Sequence, residues 1–155
     1  MKKIIETNES NWPALLARLA LAITIFPHGA QKLLGWFGGG GFEGTMTFLT
    51  QGAGLPWIIG FLVIIIEFFG PLLLVFGLLT RVAAFAIGVN FIGVVFTAMI
   101  HNGFFMNWSM QGGKGEGLEY FILLFGLILI SLIAGGGKAS IDAAWFDKKV
   151  QHNLA

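Results

Sequence analysis

Four long apolar runs, separated by short polar or glycine-rich stretches, dominate the chain. The first extends from about Pro13 to Trp36, the second from Pro56 to Leu79, the third from about Val82 to Ile100 and the fourth from about Tyr120 to Gly135. Each is read as long enough to cross a hydrocarbon core of ~30 Å, which takes about 20 helical residues. The pattern predicts an all-α integral membrane protein, an antiparallel four-transmembrane-helix bundle with one domain over residues 1–155 and no soluble domain. The link between the second and third runs is little more than Thr80-Arg81, so those two form a tight hairpin. The other links, Gly38 to Gly54 and His101 to Glu119, are glycine-rich and read as loops. No internal repeat stands out.

Composition narrows the class further. Of 155 residues, 56% are hydrophobic and 11% charged, against about 25% charged in a soluble domain. A net charge of +1 without a basic patch argues against nucleic acid as a partner. The absence of cysteine rules out disulfides, thiol relays and iron–sulfur ligation within the chain.

Charge also orients the spans. With both termini inside, Lys2, Lys3, Arg81, Lys138, Lys148 and Lys149 lie on the inner side, and Lys32 and Lys114 on the outer. The excess of cations inside predicts cytoplasmic N- and C-termini in a cell inner (plasma) membrane. Trp12, Trp36, Trp57 and Trp108 fall near span ends, as an interfacial aromatic belt would place them. The first run is longer than the 7–15-residue core of a signal peptide and follows acidic Glu6 and Glu9, so it is read as an uncleaved span. Residues 138–155 carry Ile141, Ala144, Trp145 and Val150 and read equally as an amphipathic surface segment or a polar tail.

Ionisable groups within the spans need partners, because a charge at a helix centre costs ~2.5–3.5 kcal/mol even on insertion scales. Glu67 falls near the middle of the second span and Asn90 at a similar depth in the third. On the first span, Arg18 lies roughly 9 Å inward of the centre and His28 about 6 Å outward. Gln31 and Lys32 follow His28 on the same face, and Arg18 falls on nearly the same stripe. Glu67 is therefore expected to pair with Arg18 or His28, with Asn90 adding a hydrogen bond. Pro27 and Pro71 deprive the carbonyls of Ile23 and Glu67 of their helical donors, exposing backbone acceptors beside the cluster. A functional site and a clamp that merely locks three helices together both satisfy this pattern. A second polar set, Lys32, His101, Asn102, Lys114, Glu116 and Glu119, lies at the outer end, where Glu119 suits a helix N-terminus.

The same inventory excludes several chemistries. His28 and His101 sit too far apart in depth for a bis-histidine haem, no ligand cluster suits zinc or di-iron, and GGGG and GGKGEG do not match a phosphate-cradling motif. No haem, metal or nucleotide is expected. A quinone needs only an apolar slot and one or two hydrogen-bonding groups, which His28, Lys32 and Glu67 supply.

Three segments carry a family resemblance. Arg18 with Phe26-Pro27-His28-Gly29-Ala30-Gln31-Lys32-Leu33 and Gly35-Trp36-Phe37-Gly38 resembles the opening signature of the DoxX family. Glu67-Phe68-Phe69-Gly70 through Gly77-Leu78-Leu79-Thr80-Arg81 is similar to its second hallmark. Gly117-Leu118-Glu119-Tyr120 and Gly135-Gly136-Gly137-Lys138-Ala139-Ser140-Ile141-Asp142 resemble its last. The resemblance implies a small four-helix membrane protein. Some members are described as subunits of thiosulfate:quinone or terminal quinol oxidoreductase systems and others as membrane partners of thiol and superoxide detoxifying enzymes, many without a demonstrated reaction.

Taken together, the residues and the resemblance lead to a quinone-linked oxidoreductase subunit working with a redox partner protein and embedded in membrane lipid; an oligomer is compatible with it. In this reading Glu67 and His28 carry the chemistry, with Glu67 relaying a proton. His28 and Lys32 hydrogen-bond a quinone oxygen, Arg18 keeps Glu67 ionised, and Gln31 and Asn90 complete the polar site. The alternatives are a non-catalytic membrane scaffold for a redox or stress-response complex, and a small-solute or proton pathway.

Overall fold

A computed structural model describes residues 7, 8, 10–110, 112 and 115–145. Lys2, Lys3, Glu6, Glu9, Lys114, Lys148, Lys149 and Val150, on which parts of the orientation, leader and tail readings rest, lie outside the described residues. The described secondary structure is helical throughout, with no strand among those residues. Its elements are α1 (Trp12–Leu34), α2 (Gly41–Thr47), α3 (Trp57–Phe76), α4 (Thr80–Val94) and α5 (Glu119–Ala134).

The helix ends follow local chemistry. The Asn11 side chain accepts from the Ala14 amide at 3.0 Å and starts α1. Gly35, at φ 73°, ends it in the left-handed conformation that glycine adopts without a Cβ clash. Gly77 (φ 62°) ends α3 in the same way. The turn to α4 is thus Gly77-Leu78-Leu79, earlier than the Thr80-Arg81 link expected, and both of those residues sit in the first turn of α4. Asp142 explains the shift: its two carboxylate oxygens accept from the Leu79 and Thr80 amides, each at 2.8 Å, fixing the helix start there.

The expected glycine-rich loop after α1 is also largely helical. A 3-10 turn (Trp36–Gly38) leads into α2, which widens into a π turn over Phe48–Gly52. Phe42, Met46 and Leu49 recur at helical spacing and rest on α3, where Gly60 leaves room for Met46 and Leu49 and Phe42 meets Phe61 edge-on. The glycines between them hide this stripe in the sequence.

Helices α1, α3, α4 and α5 pack into one group, each neighbour running opposite to the last. Arg18 meets Leu74 while Gly29 meets Glu67; Gly70 lies against Ile87; Gly88 lies against Ile128. Leu21, Ile25, Leu74, Ile87, Leu124 and Ile128 form the core. Large apolar side chains also face outward, with Ile23 72% and Ile133 77% exposed. Buried positions on α1 are mostly small (Ala14, Ala17, Ala22, Gly29, Ala30), as where helix backbones approach closely in a surrounding as apolar as the core. Among the described residues, three helices are long and apolar enough to cross a membrane: Trp12–Leu34, Trp57–Phe76, and Thr80–Met99 with its π turn. The 16-residue α5 is apolar but shorter.

Candidate functional site

The centre of the group holds one ion pair. Lys32 Nζ donates to Glu67 Oε2 at 2.5 Å, and Asn90 Nδ2 donates to Glu67 Oε1 at 2.9 Å. The Glu67 side chain is 2% exposed and Lys32 27%. Asn90 thus joins Glu67, as their common depth suggested, but the cation is Lys32 and neither Arg18 nor His28.

The reason lies in the slant of helical side chains. Each leans toward the N-terminus of its own helix. Because α1 and α3 run oppositely, Lys32 leans toward the start of α1 and Glu67 toward the start of α3, so the two converge. Arg18 leans toward the start of α1 too, away from Glu67. It also sits fourteen residues from Lys32, about 21 Å along the helix, too far for one carboxylate to serve both.

The backbone permits the approach. A Cβ on Gly29 would fall on the Glu67 carbonyl group and the Phe68 Cα, so only glycine lets α1 and α3 touch here. Pro71, inside α3, has no N–H to offer that carbonyl. The freed oxygen faces the backbone of α1 at Gly29 instead, where a weak Cα–H contact is available.

The other expected residues divide. His28 is exposed, makes no hydrogen bond among the described residues, and lies within electrostatic range of both Lys32 and Glu67. Gln31 Nε2 reaches the Phe37 carbonyl at 3.3 Å and braces the turn after α1. With Lys32, Gly39, Gly40, Gly44, Thr45 and Phe48 it lines an open cleft of about 370 Å³. Arg18 belongs elsewhere. It is 1% exposed, and all five of its N–H groups end on backbone oxygens: Nε on Gly136, Nη1 on Leu74 and Val75, Nη2 on Lys138 and Ala139. The expectation that Arg18 keeps Glu67 ionised therefore fails. Arg18 instead satisfies the orphan carbonyls at the end of α3 and ties the segment after α5 to them. Arg81 does likewise for α5, donating to the Leu132 and Ile133 carbonyls at 3.0 and 3.2 Å.

At the end of the group where α5 begins, the loop after α4 folds back on the start of α5. Leu118 and Glu119 amides donate to the Gly103 and Phe104 carbonyls. Glu119 and Glu116 accept from the Met106 and Asn107 amides, while Asn102 holds the Glu116 carbonyl. These carboxylates order the loop. No group of three or more metal-ligating side chains occurs among the described residues.

Sequence reasoning passed over Tyr120, whose hydroxyl is buried without a hydrogen-bond partner among the described residues and lies within electrostatic range of Glu67. A phenol opening an apolar span was visible as a signal, since a buried Tyr hydroxyl ordinarily finds a partner.

Helices long and apolar enough to cross a membrane, with a carboxylate, an ammonium and an amide joined between them, define a helical membrane protein. A family model described as DoxX matches residues 14–101, more than half of the chain, and the chain belongs to that family. It is also similar to a protein of Bacillus subtilis (strain 168) named "Putative oxidoreductase CatD", with 28% identity over 141 residues covering 91% of this chain and 92% of the relative. No solved structure matches.

Proposed function

We propose that the chain is a four-span inner-membrane protein with cytoplasmic termini, and that it serves as the quinone-binding subunit of an oxidoreductase. Its electron donor is a partner protein or a soluble substrate. The name of the Bacillus subtilis relative supports the redox reading, and the close packing of α5 on α1 and α4 supports a fourth span despite its length. The observation that carries the proposal is the Lys32–Glu67 pair, which is titratable, enclosed by apolar helices, and bordered at Lys32 by the cleft.

The lining fits a quinone headgroup. Phe48 supplies an apolar face, and Gln31, Lys32 and Thr45 bring a few polar groups, as small-ligand sites require. Lys32 and His28 would hold a quinone oxygen. Glu67 would hold a proton at its carboxylate and release it, and Asn90 fixes the orientation of that carboxylate through Oε1. A bound quinone supplies a two-electron, two-proton acceptor.

Quinone binding to the detergent-purified protein, followed by tryptophan quenching, tests this against Glu67→Gln. Saturable binding that falls about tenfold in the variant, with helicity and melting unchanged, is the expected outcome. Absence of saturable binding in the native protein would favour a scaffold. That second reading draws on the Glu67 carboxylate, which already holds a donor on each oxygen.

A further inference from the structure

Among the described residues, the two most exposed large apolar side chains are Trp108 (83%) and Met110 (90%), and neither lies in a helix. Phe104 and Phe105 are exposed beside them in the loop after α4. Residues 103–110, GFFMNWSM, contain no charged side chain. An apolar surface of this kind on a loop calls for a cover. The depth at which the loop sits indicates which one.

Three contacts fix the register of α4 against α5. Arg81 donates to the Leu132 and Ile133 carbonyls, Gly88 lies against Ile128, and the Phe91 and Phe121 rings are 6.2 Å apart. Continued along two antiparallel helices of equal rise, this pairing sets Glu119 level with Val95. The helix that begins with α4 runs on to Met99, about 6 Å further. The loop does not stand beyond that end. The Gly103 and Phe104 carbonyls accept from the Leu118 and Glu119 amides at 3.1 and 2.8 Å, which returns this stretch to the level of Val95. The 16 residues of α5 rise about 24 Å, against a hydrocarbon core of ~30 Å. Residues 103–110 occupy the depth that α5 lacks.

Backbone outside a helix is tolerated at such a depth where its polar groups have partners. In this loop the Met106 and Asn107 amides donate to the Glu119 and Glu116 carboxylates at 3.2 and 2.8 Å, and the Met110 amide donates to the Asn107 carbonyl at 3.0 Å. Glu116 is itself exposed, which suits a level where water is within reach, and tryptophan favours the same level. The spans on either side carry exposed apolar residues right up to the loop, Phe96 and Ile100 before it and Ile122 and Leu123 after it. The cover that suits those spans therefore reaches the loop. We propose that residues 103–110 form a wedge seated in lipid, with Phe105, Trp108 and Met110 resting at the boundary between headgroups and acyl chains. The proposal rests on the four-span reading and deepens it: the wedge supplies the reach that the short fourth helix lacks.

The chain has no cysteine, so single nitroxide labels can be attached through Phe105→Cys, Met110→Cys and, on the exposed face of α5, Leu123→Cys. All three side chains are exposed, and each variant should melt as the native protein does. With the full chain in phosphatidylcholine bicelles, EPR compares collisions of the label with oxygen, which concentrates in lipid, and with a water-soluble nickel chelate. Oxygen should exceed the chelate several-fold at Phe105 and Met110, as at Leu123. Dominance of the chelate at Phe105 or Met110, with oxygen still dominant at Leu123, would overturn the wedge and leave the four-span reading standing. Dominance of the chelate at Leu123 would overturn both. A label at Phe105 or Met110 that neither reagent reaches would mean that a second copy of the chain covers the face, and would overturn the lipid seat as well.

Discussion

Arg18 and Lys32 occupy one helix, and each is a cation in an apolar setting, yet the two are used in opposite ways. Arg18 spends every N–H on backbone oxygens from α3 and from residues 136–139. Lys32 binds a single side chain, Glu67, and remains partly exposed beside a cleft. The difference teaches how to separate structural from chemical charge in such a protein. A cation surrounded by carbonyls has no alternative state, since those oxygens neither titrate nor leave. A cation paired with a carboxylate does have one, because the pair can trade a proton or open to admit a ligand.

The sharpest way to break the comparison is to remove Arg18. Arg18→Met retains much of the volume and strands five carbonyl contacts, two of them fully buried, so it should destabilise the protein by at least about 3 kcal/mol, read as a large drop in detergent melting temperature. A melting temperature within a few degrees of native would show that the Arg18 network is dispensable. A smaller effect is expected at Gly29→Ala. The new methyl meets the backbone of Glu67 and Phe68, forcing α1 and α3 apart at a cost of about 1–3 kcal/mol. Because the same contact levels Lys32 with Glu67, quinone affinity should fall with it; unchanged affinity would mean that the pair does not depend on close helix approach. Smallest is Asp142→Ala, which removes the cap on Leu79 and Thr80 and should cost about 1 kcal/mol in chemical denaturation, leaving binding unaltered. A loss of binding there would join two regions that the geometry keeps apart.

Much of this was legible from apolar run length and from depth along a helix. The long helices lie within a few residues of the predicted runs, and the depth of Glu67 and Asn90 anticipated their contact. The partner of Glu67 was not legible, because depth along one helix ignores the opposite slant of side chains on antiparallel neighbours. Nor was the fate of Arg18, three of whose five acceptors (Gly136, Lys138 and Ala139) lie more than a hundred positions away, in a glycine-rich segment with no periodicity to read. Glycine obscured the region around α2 as well, where three apolar residues in a helical stripe are diluted by neighbours that suggest a loop.

Arg18 also bears on biosynthesis. The ribosome makes this residue among the first of α1, and its acceptors at Gly136, Lys138 and Ala139 are among the last positions of the described chain. Once α3 is made, its Leu74 and Val75 carbonyls can take Nη1, but Nε and Nη2 have no acceptor in this network until residues 136–139 follow. Docking of residues 136–139 is consequently the step that completes the Arg18 network, and it can come only after α1, α3 and α5 have all been made.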